Sequence, residues 1–217
     1  MTIIDRVKQY LINIPNNVVL VAAAKTRTLE EVQTAISAGI QHIGENYLQE
    51  GEKIIPQLKN QVKWHFIGKL QKNKAKKAVQ LFDVIETVDS CKLAKEINKR
   101  AEQINKIQEI FIEINIAGEK EKSGITPDSV AELMECVQNL QNINLTGFMT
   151  MGPPVSEPEQ LRPYFKKAFA IFSEYKTEKL RFLSMGMTDS YKVAIEEGAN
   201  IVRIGTGLFG PRNYNNP

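Results

Sequence analysis

The stretch VVLVAAAKTRTLEEVQTAISAG, from Val18 to Gly39, holds a strand, a loop and a helix, and the fold follows from how it is read. From Val18 to Ala24 every position is apolar. A run this short, without polar alternation, suits a strand covered on both faces, as in a parallel sheet. It stops at a cation, Lys25. Thr28 followed by Glu31 is a capping box, so a helix starts at Leu29. Leu29, Val32 and Ile36 then recur at the spacing that gives a helix one apolar face, and Gly39 stands where a C′ glycine ends it.

The same phrase recurs along the chain. Further apolar or β-branched runs lie at His42 to Gly44, Val62 to Ile67, Val84 to Val88, Ile110 to Ile116, Leu145 to Met149, Phe182 to Ser184 and Ile201 to Ile204. Between them come helical patterns such as Leu93, Ile97, Ala101 and Ile104, with Thr126-Pro127 as a start signal and Gly198 as a stop. Strand and helix alternate throughout, which requires crossovers and hence a parallel sheet. About eight such units in 217 residues fit one (β/α)8 TIM barrel spanning 1–217, preceded by a helix from Ile3 to Ile12. An open doubly wound sheet is the alternative. The Pro-rich segment Met151 to Pro158 reads as one long loop between a strand and a helix, and the tail from Asn213 to Pro217 as frayed.

Composition excludes several classes. With 42% hydrophobic and 24% charged residues the chain is neither disordered nor a membrane protein, and a net charge of +3 gives no reason to expect nucleic acid as a partner. No apolar run is long enough to span a membrane and the N-terminus lacks signal-peptide order, so a cytoplasmic protein is expected. Cys91 and Cys136 share no metal-ligand spacing and are read as two reduced structural thiols. No metal site is predicted.

A barrel carries its chemistry at the C-terminal ends of its strands. There the sequence places Lys25, Asn46, Gly68, Asn115, Met149 with Thr150, Ser184, and Arg203 to Thr206. A lysine against apolar neighbours is partly desolvated, which favours the neutral amine, a nucleophile that forms Schiff bases with aldehydes. The last strand runs into Gly205-Thr206-Gly207, whose backbone N–H groups suit an anion, and Ser184 adds a hydroxyl after strand seven. Lysine and anion cup together suit a phosphorylated aldehyde. Gly205 to Gly210 also spells G-x-G-x-x-G, but no second strand or later acidic residue follows, so a dinucleotide site is rejected.

These residues resemble the pyridoxal-phosphate homeostasis proteins of the YggS/PROSC type. The likeness runs through VAAAKT at 21–26, Ile43-Gly-Glu-Asn-Tyr47, Trp64-His-Phe-Ile-Gly68, Asn115 with Gly118-Glu119 and Lys122-Ser-Gly124, Gly147-Phe-Met-Thr150, Leu183-Ser-Met-Gly-Met187 with Asp189, and Val202-Arg-Ile-Gly-Thr206. The resemblance implies a barrel like the N-terminal domain of alanine racemases, carrying pyridoxal 5′-phosphate (PLP) on Lys25. It also implies phosphate contacts at Ser184, Gly205 and Thr206, an arginine facing the pyridine nitrogen at Arg203, Asn46 lining the pocket and Met149 beneath the ring. Ala24 and Thr188 stand where the family commonly has serine.

The implied role is to hold PLP and pass it to PLP-dependent apoenzymes, in vitamin B6 and amino-acid balance, as a monomer and without catalytic residues. A weak racemase and a regulatory protein acting through surface partners are the alternatives; against the racemase stands the absence of residues for a second, base-bearing domain. Lys122, in a loop expected to overhang the pocket, is an auxiliary candidate. The basic run Lys69 to Lys77 reads as a solvated helix start, and His42 and His65 as structural.

Overall fold

The computed structural model describes residues 1–58, 60–119 and 121–211; the tail expected to fray lies outside them. Eight parallel strands close into a barrel in sequence order: β1 Val19–Ala23, β2 His42–Glu45, β3 Lys63–Phe66, β4 Val84–Val88, β5 Gln108–Ile114, β6 Ile143–Thr150, β7 Phe182–Ser184 and β8 Ile201–Ile204. Crossovers are filled by α2 Leu29–Ser37, α3 Leu48–Leu58, α4 Ala75–Leu81, α5 Cys91–Glu102, α6 Val130–Gln138, α7 Arg162–Tyr175 and α8 Tyr191–Glu196. Helix α1, Ile3–Asn13, precedes the barrel and a single turn, α9 Thr206–Phe209, follows it. Pairing of β1 with β8, from Val19↔Ile201 to Ala22↔Ile204, excludes the open doubly wound sheet. Among the described residues no helix is long and apolar enough to cross a membrane.

Local chemistry sets the element ends. The Thr28 hydroxyl accepts from the Glu31 amide at 3.2 Å while the Glu31 carboxylate accepts from the Thr28 amide at 2.9 Å, satisfying two otherwise orphaned donors. Gly39 adopts φ +116, where a side chain would be strained, and so ends α2. The Thr126-Pro127 signal starts a 3-10 turn, Pro127–Ser129, rather than the helix itself; the Thr126 hydroxyl meets that of Ser129 at 3.0 Å and α6 begins at Val130.

The large apolar core lies between sheet and helices, where Trp64, Phe66, Phe82, Phe148, Phe165 and Phe172 are fully buried, each contributing about 2–3 kcal/mol of transfer free energy. A second, small cluster fills the barrel itself: Val21, Val84, Phe111, Met149 and Ile201. At one side of this plug Lys63 pairs with Glu109 at 2.6 Å, and Thr146 donates to the other Glu109 oxygen. Pairing of Gln108 with Ile143 and of Glu109 with Asn144 starts β5 and β6 ahead of their apolar runs.

Two buried features depart from the sequence reading. Cys91 and Cys136 are not separate thiols: they occupy facing positions on adjacent helices α5 and α6, with Cα atoms 6.0 Å apart, and form a disulfide. That adjacency follows from the packing of consecutive crossover helices on either side of β5 and has no local sequence signal. Glu45, on β2, is completely buried, and its hydrogen-bonding neighbour is another carboxyl, that of Glu50. Burial, reinforced by repulsion from Glu50, pushes its pKa up to about 9.

Reduction of the disulfide, which closes a loop with a sequence separation of 45, is expected to cost about 3–4 kcal/mol, measured by denaturant unfolding with and without reductant. The unfolded chain releases the Glu45 proton near the ordinary value of 4.5, whereas the folded protein keeps it to about 9. Folding therefore takes up a proton across that window, and this group's contribution to stability falls as pH rises. Glu45→Gln is expected to exceed the wild type in unfolding free energy at pH 8, with the difference vanishing near pH 4; an equal difference at both pH values would refute the assignment.

Candidate functional site

Lys25 continues the inward phase of Val19, Val21 and Ala23 two residues past β1, and so leans over the barrel mouth. It is half-buried, and the alanines are not its main neighbour: its Nζ lies 5.0 Å from the centroid of the Tyr47 ring, a cation–π contact worth about 0.5–1 kcal/mol. The next residue, Thr26, has φ +64, unusual for a β-branched side chain. Two bonds hold that turn: the Glu50 carboxylate accepts from the Thr26 amide at 3.1 Å, and the Ala24 carbonyl accepts from Arg27 at 2.9 Å. The strained turn fixes the direction in which the chain leaves Lys25.

Across the β1–β8 pairing stand the loops after β7 and β8. The Thr206 hydroxyl meets the Thr188 hydroxyl at 3.3 Å, and the Gly207 amide donates to the same Thr188 oxygen at 3.3 Å. This hydroxyl and amide cluster is a ready anion cradle. Its backbone is buttressed from behind by α1: a Cβ on Gly207 would fall 2.2 Å from the Tyr10 hydroxyl, so only glycine fits. Gly205 packs beside Ala23 at the end of β1, which puts the cradle next to the Lys25 loop.

Ser184 lies elsewhere than the expected phosphate contact. It is fully buried, donates to Glu86 at 2.7 Å and accepts from Arg203 at 2.6 Å, so its hydroxyl is committed inside the barrel. Thr188, four residues on, holds the exposed hydroxyl at the cradle. Arg203 is 4% exposed, with a second bond from its guanidinium to the Thr150 carbonyl at 3.0 Å. Met149 sits in the apolar plug, paired in register with Ser184 and Glu113.

On the far side of the mouth a cavity of about 310 Å³ is lined by Asn46, Lys69, Glu113, Asn115, Lys122 and Met151. Gly68 closes against the Asn46 backbone, whose carbonyl oxygen lies 2.0 Å from where a Cβ would stand. Lys122 pairs with Glu119 and donates to the Gly152 carbonyl at 3.2 Å, tying the β5 and β6 loops together. Burial, and then the neighbouring Asp89, raise the Glu113 carboxyl to about 7.

Lys25, Asn46, Gly205 and Thr206 thus gather at the mouth, Met149, Ser184 and Arg203 lie below it, and Lys122 borders it. The sequence reading missed Tyr47, Glu50, Thr188, Glu86 and Glu113. Thr188 had a signal, since it follows the Leu183 to Met187 motif directly; the buried carboxylates had none beyond acidic residues placed in apolar strands.

A model of the alanine racemase N-terminal domain matches residues 4–213. A pyridoxal phosphate homeostasis protein of Aquifex aeolicus is 43% identical over 199 residues, covering 90% of this chain and 87% of that one. The structure of PipY from Synechococcus elongatus with PLP bound superposes with a TM-score of 0.88 at 30% identity, covering 96% of this chain and all of that one. An alanine racemase of Clostridium difficile, at 16% identity and a TM-score of 0.78 over 97% of this chain and 58% of its own, shares the fold. The chain belongs to the pyridoxal phosphate homeostasis protein family.

Proposed function

We propose that this protein binds PLP at the barrel mouth, holds it as a Schiff base on Lys25, and releases it to PLP-dependent apoenzymes as part of cofactor homeostasis. The observation that carries this reading is the pairing of a mouth-facing lysine amine with a hydroxyl and amide cradle on the neighbouring strand's loop. The donor set fits the group: an amine for an aldehyde, Thr188, Thr206 and the Gly205–Gly207 backbone for a phosphate, and a buried guanidinium, Arg203, for a ring nitrogen. The names of the relatives and the PLP bound in PipY support the same assignment.

When bound, PLP supplies an aldehyde that condenses with amines and a ring that can stabilise negative charge. The residues here favour holding over turnover. Lys25 is aimed by the Glu50-supported turn and steadied by Tyr47. Arg203 sets a positive charge where an acidic partner would keep the ring nitrogen protonated, and like-charge repulsion opposes that proton. Asn46 and Met149 shape the pocket wall and floor, and Lys122, across the cavity, is an auxiliary amine.

Purified protein incubated with PLP is expected to show a visible absorbance band that Lys25→Ala loses, with borohydride reduction labelling the Lys25 peptide. A wild type that stays colourless would overturn the reading, and label on the Lys122 peptide would assign that residue a share. Transfer of PLP from the loaded protein to an apoenzyme, compared with free PLP, tests the carrier role; amino-acid racemisation well above that of free PLP would replace it with an enzyme.

A further inference from the structure

Inside the barrel an unbroken hydrogen-bonded chain crosses five strands. An Arg203 N–H reaches the Ser184 oxygen at 2.6 Å, the Ser184 oxygen reaches Glu86 Oε2 at 2.7 Å, Glu86 Oε1 reaches His65 Nδ1 at 2.7 Å, and His65 Nε2 reaches His42 Nδ1 at 2.9 Å. All but His42 are at least 96% buried. Arginine only donates, so Ser184 accepts from it, and its single proton then goes to Glu86. A carboxylate accepting on both oxygens requires the proton on His65 Nδ1. With a neutral His65 ring, Nε2 is left as acceptor and His42 Nδ1 becomes the donor. Every link has one consistent direction.

Burial alone would raise the Glu86 carboxyl, yet the His65 hydrogen bond, aided by Arg203 and Ser184, holds it below the usual range. A buried guanidinium without such a counter-charge would be strongly destabilising. His42 faces His65, Lys63, Glu86 and Glu109, and burial pushes it down to about 4, so it stays neutral at pH 7. Arg203 is faced by Glu86 from β4 and Glu113 from β5, with Ser184 of β7 and the Thr150 carbonyl of β6 as hydrogen-bond partners.

We infer that Glu86 and His65 are positioning residues for Arg203: the chain fixes the guanidinium's orientation and balances its charge, so that one defined cation faces the ring of the cofactor. This deepens the PLP reading and rests on it. Neither His65 nor Glu86 is exposed at the mouth; Glu86 acts on Arg203 both through Ser184 and directly, as an ion pair at 3.9 Å, and His65 acts through Glu86.

The test has one arm that needs no cofactor. Nitrogen-15 NMR of imidazole-labelled apo protein at pH 7 is expected to show His65 and His42 both protonated on Nδ1; a His65 proton on Nε2 would overturn the chain. In the second arm, Glu86→Gln and Ser184→Ala are loaded with PLP and the visible band is titrated against pH. Removing the Glu86 anion makes the site more positive and is expected to lower the midpoint by about one pH unit. Ser184→Ala keeps both charges and cuts the link, and is expected to move the midpoint less while weakening PLP binding several-fold. Wild-type midpoints and affinities in both variants would sink the positioning role. If Glu86→Gln does not fold, the NMR arm and Ser184→Ala decide. A wild type without a visible band would defeat the PLP reading alone, since the tautomers are read in the apo protein.

Discussion

The hydrogen bonds between β1 and β8 are the constraint on which the rest depends. They close the sheet, and closure sets the Lys25 turn beside the Gly205–Thr206 loop although the two lie at opposite ends of the fold in sequence. They also make the interior a small closed volume, so that each inward side chain must fit its neighbours from non-adjacent strands. The lysine, the cradle and the buried arginine are all placed by that one pairing.

The interior is divided between two kinds of packing. Val21, Val84, Phe111, Met149 and Ile201 form a dry plug, while Arg203, Ser184, Glu86 and His65 form a polar chain. Replacing such a chain by apolar residues is often neutral or stabilising. Its presence is therefore better explained by what it does for the mouth than by the stability of the barrel. Glu45 points the same way: a buried carboxyl set against the acidic residue that holds the Thr26 turn.

Much of this was legible in the sequence. Apolar runs of strand length, each followed by a capped helix, specify a parallel barrel because period and punctuation are local properties. Lys25 was legible as a cation ending a buried run. What escaped notice depended on contacts between strands distant in sequence. His42 and His65 read as structural histidines because nothing in their neighbourhood names Glu86 as a partner. Ser184 reads as a mouth residue because strand ends and loop starts look alike in sequence; its hydroxyl faces Arg203 and Glu86 inside the barrel, and the hydroxyl beside Thr206 is that of Thr188, four residues on. Cys91 and Cys136 met because α5 and α6 are neighbours in the outer ring.

The order of the strands along the chain also governs when the site can exist. During synthesis the lysine-bearing strand emerges from the ribosome early, and the strand that completes its pocket emerges late. Until then β1 presents an unpaired edge and Lys25 is an ordinary side chain with no anion cradle beside it. The site is thus a property of the nearly finished chain.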